Sequence, residues 1–568
     1  MSPAGATDLA RFIWETRYRD PGADPAELSL DDTWRRVAAA AATVESEPGP
    51  WTGRFLALLR GFRFLPAGRI LAGAGATRPT TLFNCFVLGP IGDSLTGVLA
   101  ALAEAAQTMQ QGGGVGQDFS TLAPRGHAGN SGTAPGIVAW LELWDAMCRT
   151  VTAAGTRRGA MMATLRCDHP EVLEFIHAKR RPDGLSCFNL SVLVSDAFLQ
   201  ALERGAGWPL VFPAGGAVHR VIAARELWQA LCDSAHDSAE PGVLFIDRIN
   251  GANNLGYCET ISATNPCGEE PLPPYGACNL GSLNLSAYVH DPFSAAARLD
   301  LPALAADAAL ATRFLDNIID VSPLPLPRQR EVVRGARRIG LGITGLADAL
   351  AMLQLRYDSD AARDAAAQAM ATVCRAAYRS SIGLAVERGP FPAFEAGPYL
   401  AAPFIQALPE DIRAGIRRSG IRNSHLTAVA PAGTISLLAG GISSGIEPIF
   451  TLEGQRSVRA PDGSTAEFAV VDHAWRQWRS RPDCGAPAPA WFVTGEAIAA
   501  VDHLRMQAAL QPWVDGAISK TVALPPDYPR AATMEIFQQA AALGLKGCTV
   551  FRAGTRACVV SAEAAPLN

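Results

Sequence analysis

The chain has 568 residues, 49% of them hydrophobic and 18% charged, with a net charge of −5. That composition supplies a large buried core, and the slight excess of acid argues against a general nucleic-acid binder. No apolar run approaches the about 18 residues of a membrane helix, and "MSPAGATDLARFIWETRYRD" lacks the basic start and apolar core of a signal peptide, so the expected compartment is the cytoplasm.

Residues 1–80 are expected to be mostly helical, with the amphipathic runs "WRRVAAAAATVES" and "FLALLRGFRF" followed by short turns at "LPAGR" and "AGAGATRPT". From residue 81 on, strand-like runs alternate with helices. "LFNCFVLG" reads as a strand, and "SLTGVLAALAEAAQTMQQ" as a helix that ends at the glycines of "GGGVG". "IVAWLELWDAMCRTVTAA" and "HPEVLEFIHAKRR" read as helices, "FNLSVLVS" and "GVLFIDRI" as buried strands. Two long helices are expected in "SAAARLDLPALAADAALATRFLDNIID" and "DAAAQAMATVCRAAYRSSIGLAVER". This alternation predicts an α/β fold with many parallel strands. "RSRPDCGAPAPAW" reads as a surface loop, and residues 553–568 as a short mobile tail.

Several motifs have a bland reading beside a functional one. "GLGITG" (Gly340, Gly342, Gly345) matches a dinucleotide fingerprint, but "VVRGARRIG" before it is not a buried strand, so close packing at a helix start is the better reading. "QQGGGVGQDFSTLAPRG" is either a tight connection or a backbone that lets a ligand approach closely. In "APAGTISLLAGGISSGIEP", Gly433, Thr434 and Ser436 would leave free N–H groups at a helix start, a phosphate cradle or an ordinary capped helix. Arg157, Arg158, Lys179, Arg180 and Arg181 form basic clusters, readable as a solvated face or as phosphate contacts.

The twelve cysteines contain no C-x-x-C pair, so a tetrahedral zinc site has little support, and any disulfide in a reducing compartment is more plausibly catalytic than structural. "TNPCGEEPLPPYGACNLGSLNL" resists a bland reading. Pro266 and Gly268 impose a tight, exposed turn on Cys267, whereas a structural thiol belongs in a regular element. Glu269 is a candidate general base and Asn265 a candidate hydrogen-bond donor. A nucleophilic thiolate would want a histidine, and none of the nine histidines has a telling context; one-electron chemistry at sulfur needs no such base.

Taken in order, "FNCFVLGPIGDSL", "GGGVGQDFSTLAPRG", "NPCGEEPLPPYGACNLGSLNLS", "RRIGLGITGLADAL", "APAGTISLLAGGISSGIEP" and "GLKGCTVFRAGTR" resemble the large catalytic subunit of ribonucleotide reductases. The closest likeness is to the adenosylcobalamin-dependent class II acting on diphosphates. The resemblance spans nearly the whole chain. It implies a ten-stranded α/β barrel of two five-stranded parallel halves around a central finger loop, with residues 81–552 as the barrel. It also implies that Cys267 carries a thiyl radical that abstracts the substrate 3′-hydrogen. Glu269 would take the 3′-hydroxyl proton, and Asn265 would bind the ribose hydroxyls. Cys85 and Cys278 would be the redox pair that becomes a disulfide. Substrate would lie against Gly68, Asn84, Gly114, Asn265, Pro266, Cys267, Gly268 and Glu269, with its phosphates at Ala432, Gly433, Thr434, Ile435 and Ser436; relatives usually carry Thr where this chain has Ala432.

A deoxynucleoside triphosphate effector at a homodimer interface is implied at Asp93, Ser94 and Leu95, with Arg157 and Arg158 in one of the signalling loops. Val550 and Phe551 stand where a radical relay would need tyrosines, which favours adenosylcobalamin over a separate radical subunit. No N-terminal ATP-binding switch domain is expected, and Cys558 stands alone near the end, so re-reduction is expected from a thioredoxin-like reductant or a separate small subunit. No metal-ligating side chains, nucleic-acid polymer or membrane partner are expected. Two alternatives stay open: a catalytically impaired nucleotide-binding relative serving a partner subunit, which the intact Asn265, Cys267, Glu269, Cys85 and Cys278 disfavour, and a nicotinamide enzyme using "GLGITG".

Overall fold

The computed structural model describes residues 8–129, 132–151, 159–180, 184–459, 464–482, 484–485, 487–555 and 560–561. Its centre is a closed ring of strands. In chain order the regular ones are β1 (Cys85–Val87), β2 (Gly114–Asp118), β3 (Met161–Arg166), β4 (Phe188–Val194), β5 (Gly242–Phe245), β6 (Ala277–Asn284), β7 (Ile339–Thr344), β8 (Thr521–Leu524) and β9 (Gly547–Arg552). β3, β4 and β6 are rich in Val, Leu and Met or small residues and buried along nearly their whole length, as strands covered on both faces must be.

The ring has two parallel halves. β1 to β5 pair in order, each parallel to the next. In the other half β6 pairs parallel with β7, and β8 with β9. The gap between β7 and β8 is filled by residues 427–429, through the parallel bridges Leu341↔Thr427 and Val429↔Ile518. This segment is the tenth member of the barrel, too short to read as a strand in the sequence. The halves meet antiparallel at two seams, β5 against β9 and β1 against β6. The expected barrel is therefore present, and Cys548, read as part of a barrel strand, lies in β9.

The N-terminal residues form α1 (Asp8–Arg17), α2 (Leu30–Ala42) and α3 (Pro48–Leu59). The "LPAGR" turn is instead a short strand, Phe64–Pro66, running into a helix, Gly68–Gly73. Outside the barrel lie α4 (Leu95–Gln110), α5 (Ile137–Thr150), α6 (Leu301–Val321), α7 (Leu346–Met352) and α8 (Asp360–Arg388). α6 and α8 pack on each other through Ala, Leu, Ile and Phe side chains in the main core.

Three expectations are corrected. Gly340 and Gly342 of "GLGITG" lie in β7 itself, with Ile339, Leu341 and Ile343 alternating with them in the core. A side chain at Gly342 would meet the Ala428 carbonyl oxygen at 2.1 Å, so glycine admits the neighbouring segment; only Gly345, at φ 68, starts a helix. Lys179 lies neither on a solvated face nor at a phosphate, because it is buried and donates to Glu240 at 2.8 Å. In the tail, Val560 and Ser561 pair with Arg456 and Gln455, while Cys558 lies outside the described residues. Arg157, Arg158 and Arg181 also lie outside them.

Candidate active site

A hairpin stands inside the ring. Its legs, Ala263–Thr264 and Pro271–Leu272, pair antiparallel. The first leg runs against β2 so closely that a side chain at Gly116 would sit 1.8 Å from the Thr264 carbonyl oxygen. Thr164 on β3 donates to the Ser262 carbonyl at 2.9 Å, and the Ala517 N–H donates to the Glu269 carbonyl at 2.9 Å, so both halves of the barrel hold the hairpin. At the tip, the Gly268 N–H donates to the Asn265 carbonyl at 3.1 Å, and Gly268 has φ 82. This turn presents Cys267 as an exposed thiol while Asn265, Glu269 and Glu270 are buried on either side of it.

Asn265 organises what lies beneath. Its Nδ2 donates to Cys85 Sγ at 3.1 Å, and its Oδ1 accepts from the Glu270 N–H at 3.0 Å. The Cys85 thiol faces Glu269 Oε1 at 3.7 Å. Cys85 and Cys278 are directly opposed across the antiparallel seam of β1 and β6. Opposed residues in such a ladder have Cα atoms about 4.5–5.5 Å apart, inside the range a disulfide needs. Burial, reinforced by the Glu269 and Glu270 carboxyls, pushes the Cys85 thiol far up. Burial and Glu270 do the same to Cys278. Both sulfurs are therefore held as thiols rather than as resting thiolates.

Around this centre is a cleft of about 140 Å³. Of the residues expected to meet substrate, Gly68, Asn84, Gly114, Asn265, Pro266, Cys267, Glu269, Ala432, Gly433, Thr434 and Ile435 line it, and Cys85 does as well. The glycines of "GGGVG" make room there: a side chain at Gly114 would come 3.2 Å from the Pro266 ring. Gly433–Leu438 is a short helix whose N-cap, Ala432, takes a left-handed φ of 51 and offers no capping side chain. Its first N–H groups face the cleft end with no local side-chain acceptor, as an anionic group would require. Two expected contacts are not brought to this cleft. Ser436 turns back to donate to the Gly433 carbonyl at 2.7 Å, and Gly268 faces the other way.

Gly268 lines a second cleft of about 270 Å³, walled by β4, β5, β9 and residues 517–521. Pro266, Cys267 and Pro431 line both clefts, so the Cys267 thiol is the partition between them. Asn189 on β4, which sequence reading did not single out, donates to the Pro266 carbonyl at 2.7 Å and fixes the partition. Glu270 was also missed, since a carboxylate in a polar run carries no local sign of burial. Asp93 Oδ1 accepts from the Ala123 N–H, Ser94 caps α4 through the Gly97 N–H, and Leu95 is exposed, all on the outer surface away from both clefts.

Fold and site together define an α/β barrel with a thiol-tipped internal hairpin above a cross-strand dithiol. Residues 83–551 match the family described as "Ribonucleotide reductase, barrel domain", and residues 5–79 match "Ribonucleotide reductase, all-alpha domain". The chain belongs to the ribonucleotide reductase family. It is 41% identical to a vitamin B12-dependent ribonucleoside-diphosphate reductase of Mycobacterium tuberculosis, over 100% of this chain and 81% of that protein. It is 34% identical to the protein of the same name from Thermoplasma acidophilum, over 92% of this chain and 68% of that one. A vitamin B12-dependent ribonucleotide reductase of Streptomyces clavuligerus is 26% identical over 84% of this chain and 57% of its own length.

Proposed function

We propose that this chain reduces ribonucleoside diphosphates to 2′-deoxyribonucleoside diphosphates, for DNA precursor synthesis, with adenosylcobalamin as cofactor. The names of the relatives from Mycobacterium tuberculosis and Thermoplasma acidophilum support the substrate and the cofactor. The observation that carries the mechanism is the position of Cys267, open to one cleft that holds Asn265, Glu269 and Cys85 and to a second cleft on its other side.

In the second cleft Asn189, Ser191, Ser519 and Thr549 would offer polar groups to the cofactor, space opens beside Gly268, and among the described residues no histidine lines it. Adenosylcobalamin bound there would supply the one-electron chemistry by which Cys267 becomes a thiyl radical. Cys267 takes the ribose 3′-hydrogen. Glu269 takes the 3′-hydroxyl proton as the 2′-hydroxyl leaves as water. Cys85 and Cys278 together give two electrons and two protons and close into a disulfide, and Cys267 returns the hydrogen to C3′. The diphosphate rests on the N–H groups of Gly433, Thr434 and Ile435. Ala432 in place of a threonine removes a hydroxyl from that end and leaves the backbone donors.

A deoxynucleoside triphosphate effector at Asp93, Ser94 and Leu95, on a homodimer built through α4 and α5, belongs to the same reading. The exposed Leu95, Leu99 and Leu143 on those helices support it. A thioredoxin-like external dithiol completes the cycle. No described helix is long and apolar enough to cross a membrane.

Incubating the purified protein with CDP, a dithiol and adenosylcobalamin tests the proposal. Deoxycytidine diphosphate should form only when all three are present. Product without cobalamin, or no product with it, overturns the reading.

A further inference from the structure

One buried acid is left without a task in that scheme. Glu270 is 4% exposed, does not line the substrate cleft, and its Oε1 has no hydrogen-bond partner among the described residues. The Cys278 thiol donates to the Asn279 carbonyl at 3.4 Å, and the Glu270 carboxyl is the charge that acts on it most behind the seam. The barrel makes space for it: a side chain at Gly340 on β7 would come 2.3 Å from Glu270 Oε1. Glu269 faces Cys85 in the cleft, while Glu270 acts on Cys278 behind it.

The two sulfurs differ in access. Cys85 lines the cleft, whereas Cys278 does not and is fully buried. A dithiol entering by the cleft meets Cys85 first. We propose that Cys85 is the sulfur attacked when the disulfide is re-reduced, that Cys278 is the leaving sulfur, and that Glu270 is the general acid that protonates it. This rests on the reading of Cys85 and Cys278 as a redox pair and deepens it.

The step balances. A thiolate of the external dithiol bonds to Cys85 Sγ. The Cys85–Cys278 bond breaks, Cys278 keeps the electron pair, and it takes the Glu270 proton. The second external thiolate then attacks the external sulfur of the mixed disulfide and releases Cys85. The dithiol is oxidised to its disulfide, and of its two protons one ends on Cys85 and the other restores Glu270. An unprotonated Cys278 is a poor leaving group here, because burial and the adjacent carboxyl oppose the thiolate. Burial pushes Glu270 up to about 8, with the charges of Glu269 and Asp515 adding to it and the Cys278 thiol and Arg338 opposing, so Glu270 holds a proton at neutral pH. Lys546 is the remaining charged neighbour, and Cys85 also feels the Glu270 charge.

The test needs neither nucleotide nor cobalamin. The protein is oxidised with diamide and reduced with dithiothreitol, and Cys85 and Cys278 are followed by alkylation and mass spectrometry. In the wild type, the rate per dithiothreitol thiolate should be level while Glu270 holds its proton and fall about tenfold per pH unit once it ionises. Glu270→Gln should reduce at least tenfold more slowly at pH 7 and lose that fall, within the range general acids contribute. Glu270→Asp, which keeps a carboxyl, should retain the fall. A monothiol probe should be trapped on Cys85. A wild-type profile with no fall, a Glu270→Gln rate within twofold of wild type, or an adduct on Cys278 overturns the assignment. The wild-type profile and the adduct site require no variant, so a Glu270→Gln protein that does not fold leaves both decisive. Absence of deoxynucleotide formation in the separate assay would sink the reductase reading without altering these results.

Discussion

A cysteine with proline before it and glycine after it can be recognised as an apex from sequence, because those residues dictate the turn whatever surrounds it. That is why Asn265, Cys267 and Glu269 were legible. Glu270, one residue on, was not, since its importance comes from burial beside a thiol that the chain delivers from another strand. The pairing of Cys85 with Cys278 was likewise available only through family resemblance; the structure supplies the physical reason, a shared register across one seam. At this scale Cys267→Ser should abolish deoxynucleotide formation, because a hydroxyl O–H is too strong to give and regain a hydrogen atom as a thiol does. Asn265→Ala should fold with a loss of about 1–3 kcal/mol, since it leaves the Glu270 N–H without its acceptor. It should also lower turnover with CDP by more than tenfold, because Cys85 loses its side-chain donor. Denaturant melts and steady-state assays of the two variants check both outcomes.

Among the elements, the long hydrophobic helices and the buried strands β4 and β5 could be read directly, since their apolar runs have the period and length of one structure only. β7 could not. Alternating glycine imitates a nucleotide-binding turn, and the reason for it lies in residues 427–429, which have no pattern of their own. Gly116 illustrates how such glycines serve the site. The Thr264 carbonyl occupies the space its side chain would need, and Thr264 precedes Asn265. Gly116→Ala must push the hairpin leg away from β2, and the displacement passes to the tip. We expect turnover to fall by at least a hundredfold, since misplacing a reacting group by about 1 Å can cost that much. The barrel strands should persist, so circular dichroism should change little while activity is lost. A Gly116→Ala protein with wild-type turnover would show that the hairpin takes its position from elsewhere.

The molecule as a whole depends on how the N-terminal helices join the barrel, a contact for which the sequence offers no local sign. Glu45, just past α2, is buried and accepts from Arg313 Nη2 at 2.6 Å and from Asn317 Nδ2 at 2.8 Å, both on α6. Arg388, at the end of α8, approaches it at 2.6 Å, and the Arg313 guanidinium also lies 3.9 Å from the Trp51 ring of α3. One carboxylate thus ties together α2, α6 and α8. Burial opposes its charge, but Arg313, Asn317 and Arg388 outweigh burial and bring Glu45 down to about 2. A carboxyl depressed by folding binds fewer protons in the native state than in the unfolded one, so its contribution is complete above the ordinary carboxyl range and is lost as pH falls toward about 2. Glu45→Gln leaves two half-buried guanidinium groups with only Glu387 and Asp316 as counter-charges. It should cost on the order of 3–5 kcal/mol at pH 7, the range for breaking a buried ion pair from one side. The gap between wild type and variant should narrow as pH falls from about 4.5 toward 2, because the wild-type carboxyl then becomes neutral too. Urea melts of both proteins at pH 7 and pH 3 measure this; a gap that stays constant would mean that Glu45 contributes packing rather than charge to the joint.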